Sequence, residues 1–319
     1  MNATRRTAIA VLAMMFAAFA PERSWAVTCG FTITDMSFGS QVDTLSGSTI
    51  DTTATLQFNC SGGTPSARVL ICAGLGDGSV APSGSMRRMI GGGDSYLLYH
   101  MYQNPERTSI WGSIGSANPP PPIAIDLDGN GAAAGAPTIY GRISSGQASA
   151  RPTTYGSSFA GSDVDIRYRE TGDSDCSTGL GTSGGAVGFS VDATVTPMCK
   201  VSTEAVNFGT QGHLQSNVDA AGAVLVTCTP ETGYSIRLDG GEDAAAPTAR
   251  KMSRGIDRIV YGLYRNGERD LPWGDTEGTT VAGTGTGSAQ SHTVFGRVAP
   301  QSTPPAGTYT DTVIVVVDY

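Results

Sequence analysis

Lysine is almost missing from this chain: Lys200 and Lys251 are the only two in 319 residues. Charged residues of every kind make up 15% of the sequence, and the formal net charge is −8. So little cationic charge on an acidic chain excludes the electrostatic footprint that nucleic acids and anionic membranes require. Histidine is scarce too. His100, His213 and His292 lie far apart, at no spacing that suits a metal triad or a catalytic dyad. Sustained helical periodicity is absent, and past the N-terminus no apolar run approaches the roughly 20 residues a helix needs to cross a bilayer. Glycine is abundant, at 43 residues, and serine and threonine accompany it. That composition suits short strands joined by many turns.

The first residues read as an export signal. Arg5 and Arg6 supply a positive start, residues 8–20 are apolar, and Ser24-Trp25-Ala26 offers a small-residue cleavage site after Ala26. Pro21-Glu22-Arg23 ends the apolar run short of a membrane span. Residues 1–26 are therefore expected to be removed, leaving a mature chain from Val27 with a net charge of −10. Export places the six cysteines in an oxidising compartment, where an even count reads as disulfides, with buried free thiols as the alternative. Their spacing fits neither a zinc ribbon nor a C-x-x-C redox pair.

An internal repeat divides the mature chain. Cys29 and Cys199 each precede a Phe-Gly pair by nine residues, at Phe38-Gly39 and Phe208-Gly209, and Cys60 and Cys228 close the two segments. Tyr99, Tyr102, Asn104, Glu106, Arg107 and Trp111-Gly112 recur, at a constant offset of 162, as Tyr261, Tyr264, Asn266, Glu268, Arg269 and Trp273-Gly274. Tyr140-Gly141-Arg142 then recurs as Phe295-Gly296-Arg297. The period is too long for a solenoid and reads as two copies of one domain, 27–196 and 197–319. If the copies are homologous, Cys199 has only Cys228 within its own domain. Cys29 then pairs with Cys60 by analogy, and Cys72 and Cys176 are left for a third bridge confined to the first copy.

Within each copy the pattern is β. Leu56, Phe58 and Cys60 alternate with polar residues, as do Val164, Ile166 and Tyr168, and Val313, Val315, Val317 and Tyr319. Turn signals such as Asn266-Gly267 and residues 91–93 (Gly-Gly-Gly) punctuate the strands. The expected fold class is all-β, with two sandwich domains in tandem. The clearest alternation lies between the copies, where Val187, Phe189, Val191, Ala193 and Val195 occupy every odd position. This segment is expected to complete the first domain from within the chain; an ordinary strand, or the first strand of the second domain, is the alternative.

The opening Cys, the Phe-Gly pair, Leu263-Tyr264-Arg265-Asn266 before Trp273-Gly274, and the stretch from Gln301 through the closing valine-rich strand resemble the spore coat protein U domain, as found in Csu-type (archaic) chaperone–usher pili. The resemblance covers both halves and is closer in the second. After Arg142 the first copy departs from the pattern. The resemblance implies incomplete immunoglobulin-like β-sandwiches that assemble by exchanging a strand, with the second domain lacking its final strand. Only Val27 and Thr28 would precede Cys29 after processing, which leaves no strand to donate and implies a place at the fibre tip. The implied role is a pilus-tip adhesin for surface attachment and biofilm formation. Its partners would be a periplasmic pilus chaperone, an outer-membrane usher, an adjacent pilin donating a strand to the second domain, and an abiotic or host surface. The competing reading is a secreted, spore-coat-like structural protein outside any usher-built fibre.

Remaining motifs carry weaker chemistry. Ile114, Pro121, Ile123 and Ile125, with Tyr155 and Phe159 further on, are candidate adhesive loops, because apolar clusters on loops mark contact sites. Ile123, Ile125 and Leu127 also fit a buried strand. Asp126, Asp128 and Asn130 resemble the start of a calcium loop, but Pro137 stands where a bidentate carboxylate belongs, and a tight turn explains the same residues. No cofactor site is evident. Gly181-Thr182-Ser183-Gly184-Gly185 fits a nucleophile pattern but lies in a linker with a strand, not a helix, after it. His100 is expected at a solvent-facing edge, Arg87-Arg88 in a solvated turn, and the repeated Tyr102, Trp111, Tyr264 and Trp273 in the core.

Overall fold

A computed structural model describes residues 26–243 and 245–319. The expected leader, 1–26, falls almost wholly outside the described residues. No helix among them is long and apolar enough to cross a membrane. The fold is all-β, and among the described residues only two single 3-10 turns occur, at Gly92–Asp94 and Gly161–Asp163.

The first half contains β1 (Thr28–Ile33), β2 (Met36–Ser37), β3 (Ile50–Ser61), β4 (Arg68–Leu75), β5 (Arg87–Ile90), β6 (Tyr96–Tyr102), β7 (Pro122–Asp126), β8 (Ala133–Gly135), β9 (Thr138–Ile143), β10 (Thr153–Phe159), β11 (Val164–Glu170), β12 (Thr182–Ser183) and β13 (Phe189–Val195). The second contains β14 (Cys199–Glu204), β15 (Val218–Cys228), β16 (Gly233–Leu238), β17 (Arg250–Arg254), β18 (Asp257–Tyr264), β19 (Val281–Thr284), β20 (Gln290–Val298) and β21 (Val315–Asp318). In the first half a sheet ordered β1-β3-β9-β6-β5-β10-β13-β2, with β8 also on β3, faces a sheet ordered β12-β11-β4-β7. In the second half the sheets run β14-β15-β20-β18-β17 and β19-β16-β21. Each pair of sheets encloses its own apolar core, one built from residues between Cys29 and Val195, the other from residues between Leu214 and Val298.

Alternation places the side chains. In β11 and β13 every second residue is buried, as period two requires of a strand with one face in the core. β4 is buried on both faces. Val69, Ile71, Ala73 and Leu75 face the main core, while Leu70 and Cys72 lie under Cys176 and Ile114. Disulfides join Cys29 to Cys60, Cys72 to Cys176, and Cys199 to Cys228. The first and third link opposed residues of the β1–β3 and β14–β15 ladders.

Repeated polar anchors hold each half. Trp111 and Trp273 are fully buried, and their indole N–H groups donate to the carbonyls of Ala73 (2.7 Å) and Ile236 (3.1 Å). Tyr102 and Tyr264 are only half-buried. Arg87 is not in a solvated turn. It is 3% exposed and donates to the carbonyls of Gly76, Leu75 and Trp111 at 2.6–2.9 Å. Arg250, 0% exposed, repeats this with Asp239, Leu238, Pro247 and Trp273 at 2.7–3.1 Å. Guanidinium groups carry enough donors to satisfy carbonyls at the end of a β-sandwich that no strand can reach. On the neighbouring rung of the same sheet Asp51 accepts a bidentate pair from Arg142, which opposes it across β3 and β9, and faces Arg107 at 3.3 Å; Asp219 does the same with Arg297 and Arg269. These guanidinium groups hold both carboxyls below the usual carboxylate range. Arg107 and Arg269 share left-handed φ values of 58° and 59° and donate to the carbonyls of Gly141 and Gly296.

His100 is also buried, contrary to the edge position expected of it. Its Nδ1 lies 3.5 Å from Arg87 Nη1, and burial together with that positive charge pushes the imidazole down to about 4.

Replacing Arg250 with Met strands four carbonyls and is expected to destabilise the second half by about 3 kcal/mol, read as a shift in its urea midpoint. The sign for His100 follows from its lowered folded value. Between the usual value of about 6.5 and about 4, the unfolded chain binds a proton that the folded chain refuses. The His100 contribution is therefore complete above pH ~6.5 and declines as pH falls toward 4. A His100→Gln chain should show a flatter melting temperature across that window than the parent.

Candidate strand-accepting groove

The alternating segment 187–195 lies inside the first half. Val187, Phe189, Val191, Ala193 and Val195 are each at most 9% exposed, and β13 runs antiparallel to β10 along seven opposed residues. Its other edge lies parallel to β2 and the segment after it. There Phe38 N donates to Asp192 O (2.8 Å), Thr194 N to Gly39 O (2.9 Å), and Val42 N to Thr194 O (2.9 Å). Phe189 stacks on Phe159 at 4.6 Å between centroids. Strand residues with apolar groups on one side and short polar groups between them suit a slot open to solvent on the other side.

The second half has the same slot without the strand. Phe208 stands where Phe38 does: each ring meets a buried tyrosine edge-on, Tyr99 at 6.1 Å and Tyr261 at 5.9 Å. Gly296 repeats Gly141, since a Cβ on either would press into that phenylalanine. Thr310 bridges Ser253 on one side, as Gly156 bridges Ile90. Between the 206–214 and 304–315 segments lies a cleft of about 1170 Å³ lined by Val206, Phe208, Met252, Ile259, Tyr309 and Val313, among others. Among the described residues, no backbone acceptor meets Phe208 N or Gly212 N, the counterparts of Phe38 N and Val42 N. Apolar walls and an unpaired strand edge are together costly to expose. The sequence marks none of Val206, Phe208, Met252, Ile259 and Val313 as a groove wall. The aligned Phe38 and Phe208 pair carried the signal, because it places a missing strand beside Phe208 once one is placed beside Phe38.

At the slot's inner end Tyr261 donates its hydroxyl to Asp311 at 2.6 Å; Tyr99 has Ser157 at the matching position and no hydrogen-bond partner for its hydroxyl. Burial and the Asp311 carboxylate both push the Tyr261 phenol upward.

Other expected sites fare differently. Tyr155 (0% exposed) and Phe159 (1%) are core residues of β10 and cannot form an adhesive loop; Tyr155 instead shares its hydroxyl with Ser95 at 2.7 Å. Ile123 and Ile125 pack on the core from the edge strand β7, and Ile114 packs on the Cys72–Cys176 bridge. Pro121 is half-buried beside them. The calcium-loop reading fails as well. Asp126 pairs with Arg68 at 2.8 Å, Asp128 accepts the N–H groups of Asn130 and Ala132, and no group of three metal-ligating side chains occurs among the described residues. Ser183 sits in β12, where its hydroxyl accepts from Gly185 N at 3.3 Å, and β13 follows where a nucleophile elbow needs a helix.

The sequence model of the Spore Coat Protein U domain matches residues 16–160 and 186–316. Over 145 residues, 45% of this chain and 77% of the relative, the chain is 29% identical to "Protein U" of Myxococcus xanthus. Among solved structures, it resembles a chain of the CsuC–CsuE chaperone–tip adhesion subunit pre-assembly complex from archaic chaperone-usher Csu pili of Acinetobacter baumannii. The TM-score is 0.52 at 18% identity, covering 92% of this chain and all of that one, so the likeness is one of fold. The CupB6 tip adhesin from Pseudomonas aeruginosa aligns over 91% of this chain and 94% of its own, at 10% identity and a TM-score of 0.39.

The filled and open slots should respond differently to substitution. Val191→Asp puts a carboxylate into a filled slot and is expected to cost the first half more than about 3 kcal/mol. Phe208→Ala trims a half-exposed wall and should cost the second half about 1 kcal/mol or less. Two-transition urea unfolding separates the effects.

Proposed function

The chain belongs to the Spore Coat Protein U domain family, and we propose that it is the tip subunit of a chaperone–usher pilus, exported through the periplasm and displayed at the cell surface. The observation that carries this reading is the asymmetry of the two slots. A subunit whose leading domain is closed by its own β13 has no groove to offer at that end. Its trailing domain can accept an extended strand from the next subunit by β-augmentation. Before assembly the same apolar cleft needs a temporary occupant, the role of a periplasmic chaperone, with an outer-membrane usher joining the subunits. Fold likeness to the Csu complex of a chaperone with a tip adhesion subunit supports the same reading.

Attachment falls to the first domain, which is furthest from the fibre in this arrangement. With Tyr155 and Phe159 withdrawn to the core, the remaining contact region is the proline-rich loop 113–122. Residues Gln103, Asn118, Pro119 and Pro120 there border a shallow depression of about 410 Å³. Abiotic and host surfaces are both within this proposal, and biofilm formation would follow from either. The family's own description, Spore Coat Protein U domain, supports a second reading, a secreted coat component that is not built into a fibre.

A synthetic peptide copying residues 187–195 separates the two. At saturation it is expected to raise the melting temperature of the second domain by about 5 °C, as binding to the native state alone requires. A peptide carrying Val191→Asp and Ala193→Asp should do nothing. A second domain indifferent to both peptides would favour the coat reading.

A further inference from the structure

In the first domain the chain does two things on its way from β11 to β13. It pairs β12 with the free edge of β11, Thr182 opposite Tyr168 and Ser183 opposite Arg167. Then Gly184 N donates to Ile166 O at 2.8 Å, and the chain crosses to the other sheet and enters the slot at Phe189. The crossing is tight. A Cβ on Gly184 would lie 2.9 Å from the Phe31 ring and 3.0 Å from Ile166, so the backbone passes flat over both. Underneath, Phe31 and Tyr168 pack ring to ring at 5.8 Å, and Tyr168 is 4% exposed.

The second domain repeats the surface that this crossing covers. Leu75 opposes Val164 and donates its N–H to Gly112 O; Leu238 opposes Val315 and donates to Gly274 O. That register makes Val317, Asp318 and Tyr319 the counterparts of Ile166, Arg167 and Tyr168. The aligned cysteines make Val201 the counterpart of Phe31. Here Tyr319 is 60% exposed and Val201 48%, and among the described residues no strand lies on the outer edge of β21. In the first domain one unbroken segment, 182–195, covers the counterparts of both this surface and the groove.

We infer that the strand-donating segment of a partner subunit docks in two joined parts. One is the alternating strand that fills the groove. The other is a polar leader of about five residues ahead of it, which pairs with the Val317–Tyr319 edge and crosses over Val201 and Tyr319 with a glycine or another small residue at the crossing. This rests on the strand-acceptor reading of the second domain and adds to it a second contact site and a sequence requirement upstream of the groove strand.

The test uses the full chain and two labelled peptides, residues 187–195 and residues 182–195 of this sequence, with affinity read by fluorescence anisotropy. The longer peptide is expected to bind about tenfold more tightly, the gain of two or three ladder hydrogen bonds with their apolar cover. A Val201→Ser, Tyr319→Ala chain should lose that advantage while binding the shorter peptide unchanged, since both side chains are exposed and lie outside the groove. A Gly184→Val version of the longer peptide should lose it too. If the longer peptide binds the parent chain no better than the shorter one, two-part docking is overturned and the groove reading stands. If the shorter peptide does not bind at all, the strand-acceptor reading falls and the leader falls with it.

Discussion

One slot in a sheet governs the behaviour of both halves. It lies between β10, or its counterpart at Thr310, and the segment that follows the first strand, and it presents backbone N–H and C=O groups from two sides and apolar side chains from below. Water can satisfy the backbone groups of an empty slot but not its floor, and a floor with nothing above it exposes apolar area that folding otherwise removes. In the first half β13 meets all three demands at once: seven opposed residues on β10, backbone hydrogen bonds on the other side, and four side chains into the core. No isolated side-chain substitution could replace it, because the missing element is backbone.

An open slot raises the question of how the second half keeps its shape. The repeated anchors answer it, for none of them touches the slot strand. Arg250 draws together the turn after β16 and the Trp273 segment, and the Trp273 indole ties that segment to β16. One rung along the sheet Arg297 and Arg269 fasten β15, β20 and the loop after β18 around Asp219. Partly buried, bidentate Arg–carboxylate geometry keeps more of its value than an exposed ion pair. A scaffold tied across its strands by such groups can present an unpaired edge without collapsing across it.

Much of this was legible in the sequence because two physical regularities are written locally. Period-two alternation marked 187–195 as a strand, and the matched spacing of cysteines, Phe-Gly pairs and tryptophans displayed the duplication. Where reading failed, residue type was weighed above periodicity. Tyr155, Ser157 and Phe159 alternate as well as any strand here, yet two aromatics next to Arg151-Pro152 looked like a loop. Arg87 shares the strand parity of the buried Met89, but its charge argued for solvent, and the carbonyls it satisfies come from residues 11 to 24 positions away. His100 shares the parity of the half-buried Leu98 and Tyr102, so neither its residue type nor its period marks it as buried. The groove walls were illegible one residue at a time, since Met252 and Ile259 look like ordinary core. Their partial exposure depends on the cleft between the 206–214 and 304–315 segments, which no single residue announces.

The two slots also differ in how occupation depends on concentration. β13 is tethered to the domain it fills, so its local concentration is set by a short linker and is indifferent to dilution. In the proposed role an occupant of the second slot arrives from another chain and must overcome the loss of its own translational and rotational freedom. The same arrangement of apolar pockets and ladder hydrogen bonds is therefore permanent in one domain and conditional in the other, with no difference in chemistry between them. In the proposed role that difference is useful. A tip needs one domain that is finished before assembly begins and one that stays unfinished until its neighbour arrives, and duplication of a single fold, with one copy keeping its strand, supplies both.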